Sequence, residues 1–310
     1  MFDQKKSKQH YVWRRYLKSW LVDDKLACMR NKQSVFSTAN LMNVGQLNHF
    51  YKVNSLTEHD IDFVRDLFLH DVDKTTSSIF EQLFSLFSHV EKLENFKSDG
   101  SHKGIENLKR HYANNLEEEI QSEIESQGDS CLTQLLTGDT SFFDTDKGAA
   151  HFLNYICMQY LRTKKMQDAL LSGLTSANRD QIIKCKNLIR IVFSSKLASN
   201  LYVNRSNYKL VIAENISNSP FITSDQPVIN FLNTETEQYD QTMNFGLYYP
   251  LSPNLAVFLV EKNVFSSRKK MSFNQSLVEE FNQIMFDASH EQIYASSETQ
   301  LQALASRARG

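Results

Sequence analysis

Residues 208–231 read YKLVIAENISNSPFITSDQPVINF. Runs of Val, Ile and Phe are separated by Asn, Ser, Asp and Pro, which is strand chemistry punctuated by turns. Pro220 and Pro227 lie in this stretch, and the chain's other prolines, Pro250 and Pro253, follow closely. No proline occurs from Met1 to Ser219. An interior proline costs a helix about 3 kcal/mol, so a long proline-free stretch is one that helices permit. The chain therefore changes character near residue 207, from helix to strand.

Downstream the strand reading continues through NFGLYYPL and NLAVFLVEK. A helix is expected over 273–289, with Leu277, Val278, Phe281, Ile284 and Met285 on one face, and EQIYAS reads as a last short strand. Upstream, Ile61, Val64, Leu67, Phe68 and Val72 recur at helical steps. After a Thr-Thr-Ser-Ser break, so do Ile79, Leu83, Leu86, Phe87, Val90 and Leu93. Thr57 followed by Asp60 is a helix-start signal. Further helices are expected over 103–125, 147–173 and 176–199, with Ser176 and Asn178 as cap candidates and SGLTSAN as the connecting loop. NFKSDGSHKG at 95–104 reads as a flexible loop. Near the front, KLACMR, QSVFSTA and NHFYKV read as short strands.

The predicted class is α+β: a mainly helical body inserted between N-terminal short strands and a C-terminal antiparallel strand region. The expected units are 1–56 (basic segment and short strands), 57–200 (helical body) and 201–310 (strand region with a terminal helix), the first and last forming one compact unit.

A chain of 310 residues can bury roughly three-quarters of its unfolded surface without disulfides or structural metal. Hydrophobic residues make up 41% and charged residues 23%, and the formal charge is -2. That balance excludes disorder and a generally basic nucleic-acid coat, but not a local basic patch. Residues 1–32 hold nine Lys/Arg against three Asp, while 115–146 hold nine acids and no Lys or Arg. The acidic run reads as a solvated helix face, or as a surface for a basic protein partner or the chain's own front segment. Cys28, Cys131, Cys157 and Cys185 lack zinc spacing and read as reduced thiols of a cytoplasmic protein. No membrane span is expected. Walker, Rossmann, GxSxG, HExxH and kinase motifs are absent, and nine glycines supply no phosphate-cradling loop.

Three segments carry candidate chemistry. In His10-Tyr11-Val12-Trp13-Arg14-Arg15-Tyr16-Leu17, a helix would put His10 and Arg14 on one face. An imidazole beside a guanidinium protonates less readily and suits a general base, and Arg14 could hold phosphate. Tyr11, Trp13, Tyr16 and Trp20 would add surface for stacking bases. The plainer alternative is an amphipathic segment docked on the body. In Phe221–Val228, a turn would present Thr223, Ser224 and Asp225, with Asp225 as acid, base, orienter of His10 or ligand of a divalent cation. The alternative is an Asx-turn bonding its own backbone. In Gln159–Lys165, Arg162 could hold phosphate or pair with an internal carboxylate, or the segment is a solvated helix end. His70-Asp71-Val72-Asp73 is a weaker metal candidate, and Glu117-Glu118-Glu119 reads as a surface run.

These segments resemble a known family. QHYVWRRYLKSW is similar to the HYVPxxYLxxF opening of the uncharacterised bacterial family Domain of Unknown Function 4238, with Trp13 where that family shows proline. YICMQYLRTKKM, PFITSDQPVINF and YYPLSPNLAVFL resemble its Arg-Thr helical segment, its FxTSDxPV segment and its PLSP strand. The resemblance implies a stand-alone cytoplasmic protein, of a kind found near mobile elements or phage-defence genes, and supplies no activity. It does select the three segments already chosen on chemical grounds. The expectation is that His10, Arg14, Arg162, Thr223, Ser224 and Asp225 converge on one cleft, with His10 and Asp225 catalytic and the others holding substrate. Such a cleft suits hydrolysis of a nucleic-acid phosphodiester, as in a nuclease-like defence toxin, with nucleic acid meeting the basic front segment. The competing readings are a non-catalytic binding or sensor protein and an enzyme acting on a small phosphorylated metabolite.

Overall fold

The computed structural model describes residues 8–32, 35–70, 72–95, 103–172, 178–232 and 245–307. Lys8–His10 (β1) and a short helix, Arg14–Leu17 (α1), lead into Leu26–Arg30 (β2), Val35–Ala39 (β3) and Gln46–Asn48 (β4). The helical body comprises Glu58–Phe68 (α2), Lys74–Asn95 (α3), Lys103–Leu136 (α4), Asp146–Leu161 (α5), Lys164–Ser172 (α6) and Arg179–Val203 (α7). The chain then returns to strand in Tyr208–Asn215 (β5), Thr223–Ser224 (β6), Ile229–Asn230 (β7), Gly246–Ser252 (β8), Leu255–Glu261 (β9) and Lys270–Phe273 (β10). It closes with Gln275–Ala288 (α8), Gln292–Ala295 (β11) and Glu298–Arg307 (α9). The architecture is α+β, with the helices between the two strand regions.

One sheet has the order β10-β5-β9-β8-β7, a second β3-β2-β11-β6, and β1 pairs with β4. The N- and C-terminal regions meet where Cys28 of β2 faces Tyr294 of β11. Alternation along β5 explains its unbroken apolar run. Leu210 and Ile212 face a core shared with α4, α5, α7 and the front segment. Val211 and Ala213 face a second core closed by α8, α9 and the other sheet. A sheet covered on both faces has no polar side to show in sequence. A third cluster joins α2, α3, α4 and α7 through Val64, Phe84, Leu116 and Leu188.

Local signals account for the helix starts. Thr57 and Asp60 form a reciprocal capping box on α2. Asp73 accepts from Thr75 N and Thr76 N and so starts α3. The Thr-Thr-Ser-Ser sequence expected to break the helix therefore lies inside its first turns. The buried stripe of α3 is Phe80, Phe84, Phe87 and Val90, whereas Ile79 and Leu86 are exposed. Three- and four-residue spacing supports two adjacent faces, and the aromatic one packs.

Other expectations change. The helix expected over 147–173 is two helices, α5 and α6. The Thr163 hydroxyl accepts from Met166 N at 3.4 Å and begins α6 as a cap does. NHFYKV is a turn: His49 has φ +54 and its carbonyl accepts from Lys52 N. β10 runs parallel to β5, so the C-terminal strand region is mixed. The helix α9 carried no recognised signal. Ser176, Asp71 and residues 96–102 of the expected loop lie outside the described residues. Asn178 sits at the start of α7 without a side-chain capping bond. The four cysteines are free and buried. No helix among the described residues is long and apolar enough to cross a membrane.

Candidate functional site

The front segment is extended at His10, not helical, so His10 and Arg14 do not share a helix face. His10 ends β1 opposite Gln46, and α1 begins only at Arg14. The aromatic residues expected to stack bases lie in the core: Tyr11, Tyr16 and Trp20 are buried. Trp13 is half-buried edge-on against Tyr155, at 5.5 Å between ring centroids. Arg14 is exposed, with its guanidinium against the Met42 thioether.

The three family-like segments do converge, but largely through structural hydrogen bonds. The Tyr16 hydroxyl donates to the Pro250 carbonyl at 2.7 Å. Having one proton, it must accept from Thr223 Oγ1, 2.6 Å away. The Thr163 hydroxyl donates to Gln226 Oε1, and Gln226 Nε2 donates to the Tyr160 and Val228 carbonyls at 3.0 and 2.8 Å. Ser224 Oγ accepts from Gln226 N at 3.0 Å. All of these side chains except that of Tyr160 are buried.

Asp225 is 1% exposed. Its Oδ1 accepts from His290 N at 2.9 Å, and its Oδ2 from Glu291 N at 2.7 Å and Gln292 N at 3.0 Å. Burial pushes its carboxyl up, and these three N–H groups pull against that shift. The carboxylate thus clamps the entry to β11, in place of both the exposed turn expected for Thr223, Ser224 and Asp225 and the Asx-turn alternative. Both its oxygens are engaged, and three of the roughly four acceptor sites of the carboxylate are filled by backbone N–H groups. Among the described residues no group of three or more His, Cys, Asp or Glu side chains is placed to hold a metal ion.

His10 faces a different neighbourhood. Its Nδ1 lies 3.1 Å from the Val44 carbonyl. A carbonyl can only accept, so Nδ1 carries the proton and Nε2 presents its lone pair. That Nε2 is buried and has no hydrogen-bond partner in the protein. Burial, then the charges of Arg14, Arg162 and Lys8, lower the imidazole to about 4, the Val44 bond opposing them. The ring is neutral at pH 7, as sequence reasoning anticipated, although burial outweighs Arg14 as the cause. The largest charge effects on it come from these cations.

Arg162 caps the C-terminus of α5 and is 1% exposed. It pairs with Glu125 of α4 at 2.6 Å and donates to Gln159 Oε1 at 2.9 Å and Gln121 Oε1 at 3.3 Å. Burial pushes the Glu125 carboxyl up against the pull of Arg162. Arg162 Nε and Gln159 Nε2 have no hydrogen-bond partner in the protein. Two buried donors at Arg162 and Gln159 thus remain unused, as does the lone pair of His10 Nε2, whose ring feels the charge of Arg162. A buried polar atom left without a partner costs about 1–3 kcal/mol, so these atoms are available to the polar groups of a ligand: the donors to an oxyanion, the lone pair to a hydroxyl or water.

Sequence reasoning missed Glu125 and its companion on α4. Glu117 is buried, not part of a surface run. It takes a bidentate contact from Arg190 at 2.6–2.8 Å and a bond from Asn187 at 2.5 Å. The available signal was spacing, since Glu117, Gln121 and Glu125 recur every four residues among Leu116, Ile120 and Ile124. Other acids of 115–146 also meet partners within the chain, among them Asp129 with Arg15 at 3.2 Å.

The family model described as "Protein of unknown function (DUF4238)" matches residues 8–299. The chain belongs to this family. Every segment used above lies within the match, including the clamp on residues 290–292. No curated protein and no solved structure matches the chain.

Proposed function

We propose that this DUF4238 protein is a hydrolase of phosphodiesters, acting on nucleic acid, with His10 as its general base. The observation that carries the reading is the state of that imidazole: neutral, fixed in one tautomer by Val44, with Nε2 unused and the charge of Arg162 among those felt by the ring. A phosphate entering there would meet the Nε–H of Arg162 and the Nε2–H of Gln159, with Arg14 at the outer side. Its negative charge would raise the pKa of the imidazole toward the working pH, which brings a base of low pKa into the useful range. His10 Nε2 would then take the proton of the attacking hydroxyl or water as its oxygen bonds to phosphorus, the guanidinium would offset the charge growing on phosphate, and the P–O bond to the leaving oxygen would break with that oxygen taking the proton back from the imidazolium or from water. In this reading Glu125 balances Arg162, while Thr223, Ser224 and Asp225 are scaffold and do not touch substrate. The basic front segment supplies long-range attraction for a polyanion.

The test is cleavage of end-labelled single-stranded RNA and DNA, with and without Mg²⁺, by wild type and by His10→Gln. Cleavage that falls at least about a hundredfold in the folded variant supports the reading, that being the usual scale of general-base catalysis. Equal cleavage by both proteins, or none by either, overturns it. A toxin role in anti-phage defence belongs to the same reading and predicts that expression of wild type, but not of His10→Gln, arrests growth. Four free buried thiols support a cytoplasmic setting.

The second reading, a non-catalytic binding or sensor protein, is favoured by the closed hydrogen bonds of Thr223, Ser224 and Asp225. Its partner surface would be the exposed acids of α4. Glu119→Lys with Glu123→Lys, both exposed, should then abolish capture of a basic partner without unfolding the chain.

A further inference from the structure

Two cavities share Tyr208, apart from the residues of the His10 site. One, of about 310 Å³, is lined by Arg205, Lys209, Lys262 and Lys269, with Asp144 as its acid. The other, of about 480 Å³, is lined by Asn200, Asn204 and Asn207, by Leu201 and Phe245, and by Glu261. Tyr208 belongs to both linings. Glu261 and Lys262, adjacent in the chain, face one cavity each. Both volumes fall within the range of about 300–1,000 Å³ usual for small-molecule sites.

Two of the first cavity's cations, Lys262 and Lys269, flank a strained loop. Phe265 and Ser266 have φ of +57 and +54, a left-handed conformation that costs a bulky residue roughly 1–3 kcal/mol. The strain is held in place from two sides. The Phe265 ring packs on Phe258 and Phe231, with centroids 5.2 and 6.1 Å away. The Lys209 ammonium donates to the carbonyls of Lys262 and Ser266. Lys209 therefore serves the loop, and the loop carries Lys262 and Lys269 to the cavity. Arg205 is shared with Asp146. Strain of this kind gathers at ligand clamps.

The second cavity has a different chemistry. Tyr208 and Phe245 meet edge to face, 6.4 Å between centroids, and offer flat apolar surface. The side chains of Asn200 and Asn207 make no hydrogen bond among the described residues, and each amide offers both donors and an acceptor. Glu261 supplies a carboxylate that can accept from sugar hydroxyls, as acidic residues do in nucleotide sites.

We propose that the paired cavities bind a mononucleotide across Tyr208. Its phosphate sits against Lys262, Lys269 and Arg205, its ribose at Glu261, and its base among the asparagine amides beside Phe245. The order of chemistries matches the order of groups in the ligand: cations, then carboxylate, then amides with aromatic surface. This inference does not rest on the hydrolase reading, since no residue is shared with the His10 site.

The experiment is titration calorimetry at low salt on the full chain, with AMP, GMP, inorganic phosphate, adenosine and guanosine as separate probes. A nucleoside monophosphate should bind saturably and more tightly than inorganic phosphate or its own nucleoside. Lys262→Glu with Lys269→Glu, both exposed, should weaken nucleotide binding at least about tenfold with an unchanged melting temperature. Asn200→Ala with Asn207→Ala should weaken the nucleotide but leave inorganic phosphate unaffected. His10→Gln should bind as wild type does, which separates this site from the hydrolase reading. No saturable binding up to millimolar nucleotide overturns the proposal. So does equal binding of inorganic phosphate with no effect of the asparagine variant, which would leave only an anion trap. Binding of a short RNA without binding of either mononucleotide would replace it with a nucleic-acid surface.

Discussion

The pH response of His10 can be worked from the structure before any substrate is known. In the unfolded chain its imidazole titrates at the ordinary 6.5, and in the folded protein at about 4. Between those values the unfolded state binds a proton that the folded state refuses. Stability from this group is therefore complete above pH 6.5, declines as pH falls toward 4, and levels off below. At 1.36 kcal/mol for each tenfold change, the full effect is about 3 kcal/mol. Partial exposure of the ring and solvent screening reduce it to about 2 kcal/mol. His10→Gln carries no titrating group, so its urea midpoint should fall less steeply than that of wild type between pH 6.5 and 4.5. Comparing the two slopes removes the contribution of carboxylates common to both proteins. NMR of the ring should report the same low value directly. Equal slopes, or a ring that titrates near 6.5, would show that Nε2 is well hydrated and would remove the basis for treating it as a poised base.

Three further substitutions test the buried polar groups. Asp225→Asn replaces one acceptor oxygen by a donor facing backbone N–H groups, so one or two of three charge-assisted bonds are lost. It should cost about 2–4 kcal/mol in urea melts, and an unchanged midpoint would argue against the clamp. Glu117→Gln leaves Arg190 buried beside a neutral partner and should cost about 3–5 kcal/mol, whereas Glu117→Gln with Arg190→Met should cost less than the sum of the two single changes; additive costs would mean the pair does not interact. Thr57→Ala removes the capping box of α2 and should lower stability by about 1 kcal/mol, read from the same melts.

The α+β division was legible because proline and β-branched residues are segregated along the chain. The capping box at Thr57 was legible because it is local. What could not be read was pairing between distant elements. The segment QHYVWRRY has the composition of a helix, yet its first residues extend because Lys8, Gln9 and His10 pair with Asn48, Leu47 and Gln46 of β4. Glu117 looks like its exposed neighbour Glu119 until Arg190, 73 residues later, is placed against it. Asp225 looks like an exposed turn residue until three N–H groups from 290–292 fill its oxygens. In each case a long-range partner decides the role of a polar residue, and one sequence does not name that partner.

The same contrast separates scaffold from candidate chemistry within the polar interior. Tyr16 with Thr223, Thr163 with Gln226 and Asp225 with residues 290–292 hold the front segment, the helical body and the two large sheets in register. Buried polar groups satisfied in this way rigidify a core and specify its packing. Their partners are other protein atoms, so a scaffold role is sufficient to explain them. Satisfaction is incomplete at Asn187 Oδ1 and Arg190 Nη1 beside Glu117, and at Arg162. Glu125 and Gln121 satisfy one end of the guanidinium and Gln159 another, while Arg162 Nε, Gln159 Nε2 and His10 Nε2 are left without protein partners. Packing alone would favour apolar replacements at such positions, because unpaired buried polar atoms reduce stability. A ligand oxyanion that fills them would turn that cost into binding energy, and for that reason the search for substrate begins at His10 and not at Asp225.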